Sequence, residues 1–216
     1  MGLYLADRAA RALRGQVNQK DWGTRRRARS RHESLRTGDI VLFTCNTALR
    51  FLLDSPYSHV GLVVNSGTML FHTTPDTQVP RAEPLMRAIN RALTEKRLFR
   101  RAEVVVRRMT MPEDLRERAE HLIDDFVAKH GNHVHAYSAG SLVKDITRNI
   151  VLMSGTHSMA ERYCSGLVAM ALQHAGIIKR WWCNTVVLPC HFGVDGERVL
   201  EFSRGCAMWP PVSIEP

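Results

Sequence analysis

The chain lacks several things. No apolar run approaches the ~18 residues of a membrane span. Its five cysteines include no C-x-x-C pair, and their odd number fits no closed disulfide framework. Met1–Leu13 carries arginines among alanines and has no signal-peptide core. Together these absences predict reduced thiols and a cytoplasmic protein. Ala6 stands where a myristoylation signal needs Ser or Thr, which argues against that anchor. Aromatic residues are 7% of the chain and do not interleave with its basic clusters as in a nucleic-acid motif. There are no repeats and no low-complexity tract.

What is present suits one globular domain: 216 residues, 44% hydrophobic and 24% charged. The net charge of +9 is largely local, with Arg25, Arg26, Arg27, Arg29 and Arg31 in one stretch and Arg97, Arg100 and Arg101 in another. Leu3, Leu5, Ala9, Leu13 and Val17 have helical spacing among arginines, which predicts a basic amphipathic helix over residues 3–19. Residues 1–33 are therefore read as a basic helix and arm, and 34–216 as the main domain. The arm is a solvated face in the simplest reading, and a tether to anionic membrane or nucleic acid in the sharper one.

Within the main domain, Ile40–Phe43, Val60–Val64 and Met69–Thr73 read as strands, with Asn65-Ser66-Gly67 a hairpin turn between the last two. A short fourth strand is expected near Thr77–Val79, and another over Glu103–Met109. Helices are expected over Thr47–Leu53 and Leu85–Leu98, from Pro112 to Gly131, near Ala139–Met153, and from the cysteine at 164 to just before Gly176. Two strand candidates lie within 185–202, and the tail reads as Pro-rich. The mixture without strict alternation predicts an α+β fold.

Two segments carry chemistry. Ser58-His59-Val60-Gly61 puts a histidine at the head of an apolar strand, and Tyr163-Cys164-Ser165-Gly166-Leu167 puts a cysteine at the head of an apolar helix. A thiol nucleophile needs a nearby imidazole to share its proton. Two signals compete for the start of that helix. Ser158 and Glu161 form a capping box that would start it at Met159. The apolar face of Leu167, Val168, Ala171 and Leu172 favours a start near Cys164, where the helix terminus would lower the thiol pKa and offer N–H donors to an oxyanion.

With Thr37-Gly38-Asp39-Ile40-Val41-Leu42-Phe43 and Phe71-His72, these motifs resemble the circularly permuted papain-like (NlpC-type) superfamily over roughly residues 34–205, in the family's order. The resemblance is strongest to its YiiX-like and poxviral members. It implies a permuted papain-like fold: a small antiparallel sheet packed against helices, among them the nucleophile helix. It also implies Cys164 as nucleophile, His59 as general base and His72 as the residue that orients the imidazole. The activity implied is thiol hydrolysis of a peptide, amide or acyl-lipid bond through a thioester, with no cofactor and no metal. The poxviral members extend the expected setting to a virion or host-cell cytoplasm.

Tyr57, Tyr163 and Ser165 are candidates to line the cleft, and Asp39 is read as a turn residue. Gly166 stands where YiiX-like relatives often carry a carboxylate. An alternative is an acyltransferase or phospholipase of lecithin:retinol acyltransferase type, whose N-C-E-H cysteine motif is absent here. Another is a catalytically silent binding protein tethered by its arm. His130, His133 and His135 match no zinc spacing, nor do Cys183, Cys190, His191 and Cys206. Trp181-Trp182 is read as a packing anchor, with a rim for an apolar substrate as the alternative.

Overall fold

Continuous apolar runs such as Ile40–Phe43 and Val60–Val64 require cover on both faces of a sheet. The computed structural model describes residues 35–44, 56–73, 79–94, 103–131, 164–181, 187–193 and 200–214, and it shows that cover. In chain order the elements are β1 (Ile40–Phe43), β2 (His59–Val64), β3 (Met69–His72), β4 (Arg81–Pro84), α1 (Leu85–Thr94), β5 (Val104–Arg107), β6 (Met109–Thr110) and α2 (Glu113–His130). Then come α3 (Cys164–His174), β7 (Ile178–Trp181), a 3-10 turn at Pro189–Phe192, β8 (Leu200–Phe202), β9 (Ala207–Met208) and β10 (Val212–Ile214). This is an α+β fold.

Six strands form one antiparallel sheet in the order β10-β5-β1-β2-β3-β4, while β6 pairs with β9 and β7 with β8. Alternate side chains serve two cores. Ile40, Leu42, Val60, Leu62 and Phe71 pack with Ala119 and Ile123 of α2 and with Leu167, Val168 and Leu172 of α3. Val41, Phe43, Val63 and Leu70 pack on the other face with Leu85, Ala88 and Ile89 of α1. Gly61 belongs to the α1 face, where a Cβ would come within 2.8 Å of the Leu70 side chain.

The β2–β3 hairpin turns through Asn65, Ser66 and Gly67, all with positive φ. At Gly67, φ is +88° and a Cβ would lie 1.9 Å from the Leu35 carbonyl oxygen, so only glycine fits. Asp39 is architectural, as expected: its buried carboxylate accepts the backbone N–H groups of Arg36 (3.0 Å) and Met109 (2.9 Å). Arg107 is 1% exposed and donates to the carbonyls of Phe192, Met208 and Trp209, joining the sheet to the 3-10 turn and to the tail.

Several boundaries differ from the sequence reading. The fourth strand is Arg81–Pro84 rather than Thr77–Val79, because the hairpin register sets His72 opposite Arg81 and Leu70 opposite Glu83. Val79 is outside any strand, and 74–78 lie outside the described residues. The strand expected over Glu103–Met109 breaks at Arg108, because Asp39 takes the Met109 N–H and β6 turns to pair with β9. Of the candidates within 185–202, Leu200–Phe202 is a strand, but Pro189–Phe192 is a 3-10 turn. The tail, read only as Pro-rich, supplies β9 and β10, and β10 completes the edge beside β5. β7 was not anticipated either.

Helix α2 starts after Pro112 and stops at Gly131 as expected, and α3 stops before Gly176, which takes a positive φ. The basic arm 1–33, the expected helices at Thr47–Leu53 and Ala139–Met153, and the Ser158–Tyr163 stretch lie outside the described residues. Among the described residues no helix is long and apolar enough to cross a membrane.

Candidate functional site

A chain of polar side chains runs along the α1 face of the sheet, built by strand register. His59, the first residue of β2, pairs with Phe43 of β1, and their rings lie 5.4 Å apart. His59 Nε2 is 3.0 Å from Nδ1 of His72, the last residue of β3. His72 Nε2 in turn is 2.7 Å from Oε1 of Glu83 on β4. Arg91 of α1 closes the chain, with Nη1 3.0 Å from Glu83 Oε2 and Nη2 bonded to Oε1. The Arg81 guanidinium lies 3.7 Å from Oε2.

His72 is 2% exposed and Glu83 is 7% exposed, so these groups work where water does not screen them. The bond from His72, reinforced by Arg91, holds the Glu83 carboxylate at a pKa of about 2 despite its burial. Burial, and then repulsion from His72 and Arg91, push His59 down to about 3, which favours the neutral imidazole.

Cys164 is the first described residue of α3, in the core that the sheet shares with α2 and α3. It is 5% exposed and shares a core with Tyr57, Val60, Leu62, Val187 and Phe192. The helix head and the strand head meet a common segment. The Ser165 hydroxyl donates to the Val187 carbonyl at 2.6 Å, and the Tyr57 ring packs against Gly193, where a Cβ would lie 2.9 Å from it. Tyr57, two residues before His59, thus sits in the same core as the thiol.

Of the residues named from the sequence, the structure joins His59 to His72 and places Tyr57 and Cys164 together in the core of α2 and α3. Ser165 is buried and committed to Val187. Tyr163 lies outside the described residues. His130 stacks on Phe126 with ring centroids 4.3 Å apart, while His133, His135, Cys183 and Trp182 are outside the described residues. Within the Leu188–Phe192 segment, His191 Nδ1 accepts the Leu188 N–H. No group of three His, Cys, Asp or Glu side chains among the described residues is arranged to hold a metal ion.

Sequence reasoning missed Glu83 and Arg91. Their one signal was an arginine on the inward stripe of α1, three residues after Ala88, which calls for a buried anion. No family model matches the chain, and no curated protein matches it.

Proposed function

We propose that the chain is a cysteine-dependent hydrolase of the permuted papain-like type, with Cys164 as nucleophile, His59 as general base and His72 as its orienter. The observation that carries this reading is the 3.0 Å contact between His59 Nε2 and His72 Nδ1, which leaves His59 Nδ1 for the thiol. A helix start near Cys164, as the apolar face of Leu167, Val168, Ala171 and Leu172 predicts, would offer backbone N–H groups to an oxyanion. Tyr57 and the 187–193 segment add support by linking the two heads.

In the mechanism, the Cys164 thiol gives its proton to His59 Nδ1 as sulfur attacks the substrate carbonyl carbon. The tetrahedral oxyanion collapses, the bond to the leaving nitrogen or oxygen breaks, and His59 returns the proton to that atom. A thioester remains. Water, deprotonated by His59, then attacks it and releases the acid and the free thiol. The substrate class is a peptide, amide or acyl-lipid bond. An acyl acceptor in place of water turns the same steps into acyl transfer.

The test is alkylation of the folded protein by iodoacetamide across pH 5–9, with each cysteine followed by mass spectrometry. Cys164 is expected to react at least ~10²-fold faster than Cys206, whose pKa burial raises, and to lose that advantage in His59→Ala. A Cys164 that labels no faster than Cys206 is a sealed core thiol, and the hydrolase reading fails. Incubation with peptides or with phospholipid vesicles, followed by a search for an acyl adduct on Cys164, then separates the substrate classes.

A further inference from the structure

We propose that Glu83, clamped by Arg91, is a positioning residue that sets the tautomers of both histidines, so that His59 presents a bare Nδ1 to its reaction partner. The inference rests on the hydrolase reading for its catalytic meaning, but it stands on separate atoms.

The argument follows the hydrogens along the chain. Arg91 has donors only, and it meets both oxygens of Glu83. Glu83 therefore stays a carboxylate, an acceptor at every position. An acceptor at Oε1, 2.7 Å from His72 Nε2, requires the proton of His72 to be on Nε2. A neutral His72 then has a bare Nδ1, which can only accept. Its partner at 3.0 Å, His59 Nε2, must supply the proton of that bond. His59 is left with a lone pair on Nδ1, the form a general base requires.

The charges agree with this assignment. Arg91 already balances Glu83, so no cation is required at His72 inside the fold. Without the pair, His72 has two equivalent tautomers, and one of them would put the His59 proton on Nδ1, where it blocks the base. The local build explains why the pair exists. Pro84 ends β4, Leu85 starts α1, and the helix runs back over the sheet so that Arg91 reaches the residue before Pro84. Glu83 thus touches no reacting atom and acts only through His72.

The test uses full-length protein labelled with 15N-histidine and long-range 1H–15N correlation, which distinguishes protonated from bare ring nitrogens. In the unaltered protein, His59 and His72 are both expected to carry their proton on Nε2. In Glu83→Gln, whose amide can donate as well as accept, the His59 signature is expected to move toward Nδ1–H. Alkylation of Cys164 at neutral pH should fall by about 10- to 100-fold in that variant. Arg91→Gln, on a partly exposed side chain, should shift both readouts the same way by less, and Arg91→Lys should restore most of the effect.

A doubly protonated His72, a proton on Nδ1 of His59, or an unchanged His59 signature in folded Glu83→Gln overturns the inference. The hydrolase reading is judged separately, by the dependence of Cys164 alkylation on His59. If that dependence is missing while the nitrogen signatures behave as described, the tautomer lock stands and the nucleophile assignment falls.

Discussion

His72 has both ring nitrogens occupied, one by His59 and one by Glu83, at 2% exposure. Removing it takes one hydrogen bond from the buried Glu83 carboxylate, which keeps Arg91, and leaves the His59 ring without its contact in a cavity the size of an imidazole; each lost buried partner costs about 1–3 kcal/mol. His72→Ala is therefore expected to lower unfolding stability by about 2–4 kcal/mol in urea titrations. It should also slow Cys164 alkylation, because the His59 ring loses the contact that fixes its orientation. His72→Asn keeps one acceptor and one donor, and it should recover part of both losses. An alanine variant as stable as the parent would mean that the contact contributes nothing to the fold.

Two elements concentrate the structural constraints. The hairpin between β2 and β3 sets the register that brings His59 to His72, and it depends on Gly67 at φ +88° against the Leu35 carbonyl. Gly67→Ala forces a left-handed alanine into a backbone contact and is expected to cost about 2–4 kcal/mol in unfolding titrations. Its loss of Cys164 reactivity should exceed that of an equally destabilising change in α2, because register is what it disturbs. At the other end of the sheet, Arg107 uses a planar fork on three carbonyls. Lysine cannot reproduce that geometry, so Arg107→Lys is expected to destabilise by about 2–4 kcal/mol. Loss of native fluorescence from Trp209, whose carbonyl is one of the three, would report the tail coming away from the sheet.

At the scale of the whole molecule, buried titratable groups predict a fold that weakens in acid. His59 is held at about 3, first by burial, against an ordinary value of 6.5. The unfolded chain therefore binds more protons between those values, and stability falls as pH drops through that window. Burial also lowers His191, to about 4, with the same sign. Glu83, held at about 2 first by its bond to His72, adds a further loss as pH falls from 4.5 toward 2. Urea midpoints should be flat above about pH 7, decline below about 6.5 and steepen below about 4.5. His59→Asn should make the decline shallower between about pH 6 and 4. A midpoint constant from about pH 7 to 4 would contradict this assignment of buried neutral imidazoles.

The sequence by itself determined the local features. The apolar runs marked β1, β2 and β3, Asn65-Ser66-Gly67 marked their turn, and Pro112 marked the start of α2, because each depends on neighbours a few residues away. His72 was legible as the partner of His59 for the same reason, since a single hairpin brings them together. Tertiary structure alone decided β4, β9 and β10, whose polar or Pro-flanked residues become strands only when a formed sheet offers them an edge. It alone found the Glu83–Arg91 pair, because a buried carboxylate is stable only once folding brings a cation to it from another element. It also decided that α1 and α3 cover opposite faces of the sheet, a consequence of which residues the pleat turns toward each helix.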